Sequence, residues 1–204
     1  MADRHSRWSG LSTLALLTFL LTPLTIVIHE LGHFAVPLLS GLPAQLHPTS
    51  VSGGAALGTQ PAWLVALQEG GGPLMTIIMG AAGAAAYARD RRRVWALAFA
   101  GAAISRLLVS TAWLGLRLFL LVIGKPYGGN PNFDEHRVAE ALGFSPFVTA
   151  VAATLVFAAI FAWLVGRIER GRRLAFTITM AVMVVGANLA WASVAPDPLA
   201  TTGG

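Results

Sequence analysis

Residues 11–39 read LSTLALLTFLLTPLTIVIHELGHFAVPLL. Fully helical, this run would extend roughly 44 Å, against roughly 30 Å for the hydrocarbon core of a bilayer. It predicts a membrane span, with Pro23 and Pro37 as the places where the helix kinks or ends. The basic head before it carries Arg4, His5 and Arg7 and looks like the start of a signal peptide. The apolar character continues too far for such a leader, however, and no clear cleavage site follows, so we read an uncleaved first span.

Two histidines and a glutamate are set into this run, in Ile28-His29-Glu30-Leu31-Gly32-His33. On a helix, positions four apart differ in direction by about 40°, so His29 and His33 share a face and can offer ring nitrogens to one metal. Glu30 falls beside that face, placed to act on a water without being a ligand. This is the H-E-x-x-H arrangement of zinc hydrolases, with Zn2+ as the expected cofactor, His29 and His33 as metal ligands and Glu30 as the catalytic base. Ionisable groups inside a span are costly to bury unpaired and point to function. The alternative is a satisfied polar cluster that holds no metal.

The rest of the chain fits a membrane protein. Hydrophobic residues make up 55% and charged residues 11%, with a mean hydropathy of +0.68, too apolar for a soluble domain. A net charge of +5 could suggest nucleic acid, but the arginines sit in short clusters between apolar runs, a pattern that belongs to membrane topology and excludes a nucleic-acid partner. There is no cysteine, so a metal must be held by histidine and carboxylate.

Spans are expected at about 11–39, 63–88, 94–123, 144–165 and 174–194, making the chain a single all-α polytopic membrane domain, residues 1–204. The second is expected to be interrupted at Gly70-Gly71-Gly72-Pro73, and the third by Arg106 and Arg117. Residues 40–60 are rich in Gly, Pro, Ser and Thr and suggest a β-hairpin or re-entrant loop around Gly53-Gly54. His47 in that loop could reach a metal or substrate, although a loop histidine usually does neither.

Topology follows from charge. Arg4 and Arg7, then Arg89, Arg91, Arg92 and Arg93, then Arg167, Arg170, Arg172 and Arg173 lie on one side of a five-span chain, leaving Lys125 and Arg137 on the other. The positive-inside rule then puts the N-terminus in the cytoplasm and the C-terminus outside, in a plasma membrane of bacterial type. The same count brings the end of the first span to the side that holds Asp134-Glu135-His136. A catalytic zinc of this kind takes three protein ligands and keeps one position open. Asp134 is the expected third ligand and His136 the reserve. Capping of the following helix by Asn132 or Asp134 is a compatible structural role.

Taken together, Ile28-His29-Glu30-Leu31-Gly32-His33, the Gly72-Pro73-Leu74 that follows, and the late Asn130-Pro131 and Asp134 resemble the site-2 protease family of membrane-embedded zinc metalloproteases. The resemblance covers roughly residues 20–145. It implies a zinc held by His29, His33 and Asp134, Glu30 as general base, and a membrane-anchored protein cut in or near the bilayer. Thr76 stands where the family usually has asparagine, and Asn130-Pro131 lies further from Asp134 than in the family pattern.

Two polar residues lie deeper in the spans. Arg106 falls about 18 Å into the third span, in a structural ion pair or beside the active site. Asn188 either bonds a neighbouring helix or donates to a developing oxyanion. Beside the protease reading stand two others: a non-catalytic membrane protein that keeps a zinc site for structure, sensing or ion passage, and a zinc hydrolase acting on a non-protein amide or ester.

Overall fold

The computed structural model describes residues 2–125 and 133–194. In chain order they form α1 (Ala2–Leu39), β1 (Ala44–Leu46), β2 (Val51–Gly53), α2 (Ala62–Arg89), α3 (Val94–Ala103), α4 (Arg106–Val122), α5 (Asp134–Leu142), α6 (Pro146–Arg167) and, after a 3-10 turn at Arg170–Arg172, α7 (Arg173–Val194). Among the described residues, five helical stretches are long and apolar enough to cross a membrane: Gly10–Leu39, Ala62–Arg89, Val94–Val122, Pro146–Arg167 and Arg170–Val194. The protein is an all-α polytopic membrane protein. Large apolar side chains stay exposed along these helices, among them Leu20, Leu39, Leu155, Leu174 and Leu189, as expected where the surrounding solvent is lipid.

Helix continuity departs from the sequence expectation. Neither Pro23 nor Pro37 ends α1, and α2 runs through Gly70-Gly71-Gly72-Pro73 without interruption. Each proline forfeits one backbone hydrogen bond, but a break at membrane depth would expose several amide and carbonyl groups with no water to meet them. The third span does divide, at Ile104-Ser105, so that Arg106 opens α4.

The chain forms two compact units, one of residues 1–27, 76–105 and 159–204, the other of residues 28–75 and 106–158. In the first, α3 packs on α7 where Gly101 meets Met180, and Leu14, Leu97, Leu164, Ile168 and Met180 are buried.

The second unit holds the loop that follows α1. Its strands pair antiparallel, Ala44 with Gly53, Gln45 with Ser52 and Leu46 with Val51, so the hairpin turns at His47–Ser50 and not at Gly53-Gly54. His47 closes on its own hairpin, its Nε2 3.0 Å from the Ser52 hydroxyl. Ala55, Leu64, Val65 and Ala141 form a small apolar core against which Val36 and Leu42 pack. Deeper in the unit, α1 and α2 cross at Gly32 and Gly71. A β-carbon added to either glycine would strike the backbone carbonyl of the other, so only a glycine pair permits this approach. That crossing sets the histidines of α1 against the Gly70–Pro73 turn of α2.

Candidate metal centre

His29 and His33 lie one turn apart on α1, and Asp134 opens α5. Their ligand atoms converge: His29 Nε2 is 3.1 Å from His33 Nε2 and 3.2 Å from Asp134 Oδ2, and His33 Nε2 is 3.5 Å from the same oxygen. The two imidazoles meet edge to face at a centroid separation of 4.8 Å. Both are buried, and the Asp134 side chain is 14% exposed. This group can hold a metal ion.

Three features of the chain prepare it. His33 Nδ1 donates to the Gln68 carbonyl oxygen at 2.7 Å, which fixes the ring and leaves the Nε2 lone pair facing Asp134. Gly72 comes against the ring nitrogens. A β-carbon there would press on His33 Nε2 and lie 2.6 Å from His29 Nε2, so the missing side chain keeps a cradle open between the donor atoms. Asp134 and Glu135 occupy the first turn of α5, where the positive end of the helix favours carboxylates. The N-cap is Phe133, without a side-chain cap bond; Asp134 is therefore free of the capping role considered for it, and Asn132 lies outside the described residues. The α5 helix closes on Gly143 in the left-handed conformation.

Charge reinforces the geometry. Burial alone would raise the Asp134 carboxyl, but the Arg106 guanidinium leads the opposing influences, and the group is held well below the usual carboxylate range. Arg106 Nη2 donates to Asp134 Oδ2 at 2.6 Å and lies 3.5 Å from Glu135 Oε2. Its Nη1 is 3.3 Å from His29 Nε2. Glu30 is buried beside the group and interacts electrostatically with His33 and Arg106. Outside the ligand set, Arg137 pairs with the buried Glu69 at 3.4 Å, and Arg117 lies over the rings of Trp113 and Phe147.

Comparison with known protein families, with curated proteins and with solved structures finds no match for this chain.

The residues singled out in the sequence thus separate. His29, His33, Asp134 and Arg106 come together, with Glu30 adjacent. His136 does not join them; its ring, with Glu135, Ser110, Trp113 and Phe133, lines a separate small cavity, and its buried Nδ1 meets no hydrogen-bond partner among the described residues. Asn188 donates to the Val184 carbonyl of its own helix, at 2.8 Å, and not to a neighbouring helix. Asn130 lies outside the described residues. Sequence reasoning missed Gln68 and the cradle at Gly72. Gln68 acts on His33 through a main-chain carbonyl, which leaves no residue signature. At Gly72 the signal was present, a glycine triplet in a span, but it reads equally well as a helix break.

Proposed function

We propose that this chain is a membrane-embedded zinc metalloprotease that hydrolyses peptide bonds of membrane-anchored proteins in or near the bilayer. The observation that carries the reading is the triangle of His29 Nε2, His33 Nε2 and Asp134 Oδ2, with edges of 3.1, 3.2 and 3.5 Å. Zinc bound tetrahedrally at about 2.0–2.1 Å separates its ligands by about 3.3–3.4 Å, so the donor set fits that ion in chemistry and spacing. The space kept open by Gly72 adds to the fit.

When bound, zinc polarises the scissile carbonyl and makes water acidic enough to lose a proton near neutral pH. The chain supplies the rest. Glu30 accepts the proton of the attacking water and returns it to the amine that leaves as the C–N bond breaks. The Gln68 carbonyl keeps the His33 ring from turning, and burial of the ligand set excludes bulk water from the charged groups. A transmembrane helix shields its own peptide bonds, so the substrate must be extended where it is cut; the outer edges of the β1–β2 hairpin are suited to pair with such a segment. The arginine clusters after α2 and around the Arg170–Arg172 turn support an N-terminus on the cytoplasmic side and a C-terminus outside.

One observation favours a second reading, a non-catalytic membrane protein. Arg106 pairs with Asp134, which gives that carboxylate a structural partner within the chain itself.

The test is zinc content per chain in detergent-purified wild type, His29→Ala, Asp134→Ala and Glu30→Gln, each assayed for cleavage of a membrane-anchored reporter. The protease reading expects about one zinc in wild type and in Glu30→Gln, little in the two ligand variants, and a loss of cleavage of at least about 100-fold in Glu30→Gln. Zinc in wild type with no cleavage of any anchored reporter would favour the second reading; no zinc in folded wild type would end both zinc readings.

A further inference from the structure

Arg106 touches the ligand set at the donor atoms themselves. Nη2 donates to Asp134 Oδ2, the oxygen that faces both histidines, and Nη1 approaches His29 Nε2 at 3.3 Å. The two atoms differ in capacity. A carboxylate oxygen has two lone pairs and can serve an N–H and a metal together. An imidazole nitrogen has one, so His29 Nε2 can accept from Nη1 or bind a metal, but not both. The arrangement in the structure is therefore one that a metal must undo in part.

We propose that Arg106 is a built-in counter-cation: it holds the ligand set together in the metal-free protein, competes with the metal for His29, and withdraws toward Glu135 when the site is loaded. This rests on the zinc reading given above and adds to it the residue that sets the affinity. Glu135 is suited to receive the guanidinium. Its Oε2 is already 3.5 Å from Nη2, and its Oε1 is buried with no hydrogen-bond partner among the described residues, leaving an acceptor in reserve. Without Arg106, Asp134 and Glu135 would lie side by side without the guanidinium that both now face. With it, part of that negative charge is offset before loading, and the metal is bound less tightly because it must displace one cation and then sit beside it.

The competing role and an ordinary positioning role predict opposite signs. A residue that merely orients ligands costs about 10–100-fold in metal affinity when it is removed. A competitor, once removed, raises affinity. The experiment measures the zinc dissociation constant by competition with a chromophoric chelator on the full chain in detergent, together with the melting temperature with and without zinc, for wild type, Arg106→Met, Arg106→Lys and Glu135→Gln. Arg106→Met is expected to bind zinc at least about tenfold more tightly than wild type, to melt lower without zinc, and to gain more on its addition. Arg106→Lys folds with its charge intact but cannot bridge Asp134 and His29 at once, and is expected to bind at least about threefold more tightly. Glu135→Gln, which removes the receiving carboxylate, is expected to bind more weakly. Equal or weaker zinc binding in Arg106→Lys, or in Arg106→Met where that variant folds, overturns the inference and leaves the zinc site standing. If neither wild type nor either arginine variant binds zinc, the zinc reading itself has failed and takes the inference with it.

Discussion

Gly72→Ala should destroy tight metal binding while leaving the helices intact. Helix propensity alone favours the change by about 1 kcal/mol, because alanine replaces glycine inside α2. The added β-carbon, however, lies 2.6 Å from His29 Nε2, where ordinary contact begins at 3.4 Å, and still closer to His33 Nε2. The imidazoles must therefore withdraw by about 0.8 Å, several times the roughly 0.2 Å tolerance of a metal–ligand distance. They can withdraw, because the obstructing atoms end two side chains; the fold absorbs a packing cost of about 1–3 kcal/mol, partly offset by the gain in propensity. The metal site has no such slack, and a loss of zinc affinity of at least about 100-fold, or about 2.8 kcal/mol, follows. Chelator competition reads the affinity and circular dichroism with thermal melting reads the fold. A variant that keeps its melting temperature and binds zinc as wild type does would refute the argument, for the cradle would then not be the space a metal uses.

The neighbouring glycine gives the opposite outcome. Gly71→Ala drives its β-carbon into the Gly32 carbonyl, a main-chain atom that cannot swing aside, so the α1–α2 crossing must open; a loss of stability of at least about 3 kcal/mol is expected, read as a lower melting temperature or a failure to accumulate. Gln68→Ala removes the side-chain oxygen that accepts from the Ala55 amide at 2.7 Å; a cost of about 1–3 kcal/mol and faster hydrogen exchange at Ala55 are expected, with zinc binding unchanged. The depressed Asp134 carboxyl ties stability to pH: the native group stays ionised where the unfolded one, near about 3.9, takes up a proton, so its contribution is complete above that value and fades as pH falls toward the native value. Metal-free wild type should therefore lose more melting temperature between about pH 5 and pH 2 than Asp134→Asn does; parallel curves would argue against the Arg106–Asp134 pair.

Much of the architecture was legible because lipid leaves few choices. Long apolar runs separated by arginine clusters permit little besides spanning helices, and the five spans sit where hydropathy puts them. The same physics explains the failures. Pro23, Pro37, Pro73 and the triplet Gly70–Gly72 carry the signals that end helices in water, where a freed carbonyl finds a solvent partner; in a bilayer the helix is cheaper to keep. The hairpin was legible from composition but not its turn, since Gly53 and Gly54 advertise a bend more loudly than His47-Pro48-Thr49-Ser50, where the chain reverses. At the candidate site, His29, Glu30 and His33 stand out through their spacing alone. Asp134 could be reached only through topology, by asking which carboxylate shares a membrane face with the motif. Arg106 was legible as an ion out of place, but its partners were not, because they lie 28 and 77 residues away along the chain.

The contact between His33 and Gln68 bears on how this protein would look to genetics. The oxygen that steadies His33 belongs to the peptide backbone, so no codon change deletes it. A saturation screen scored on zinc content would mark His29, His33 and Asp134 as intolerant and pass Gln68 as permissive, while a screen scored on the hairpin would mark Gln68 for its amide alone. An anchor of the ligand set would stay invisible to both. Only an edit to the chain itself, such as an ester in place of the amide between Gln68 and Glu69, weakens that carbonyl and brings it into view.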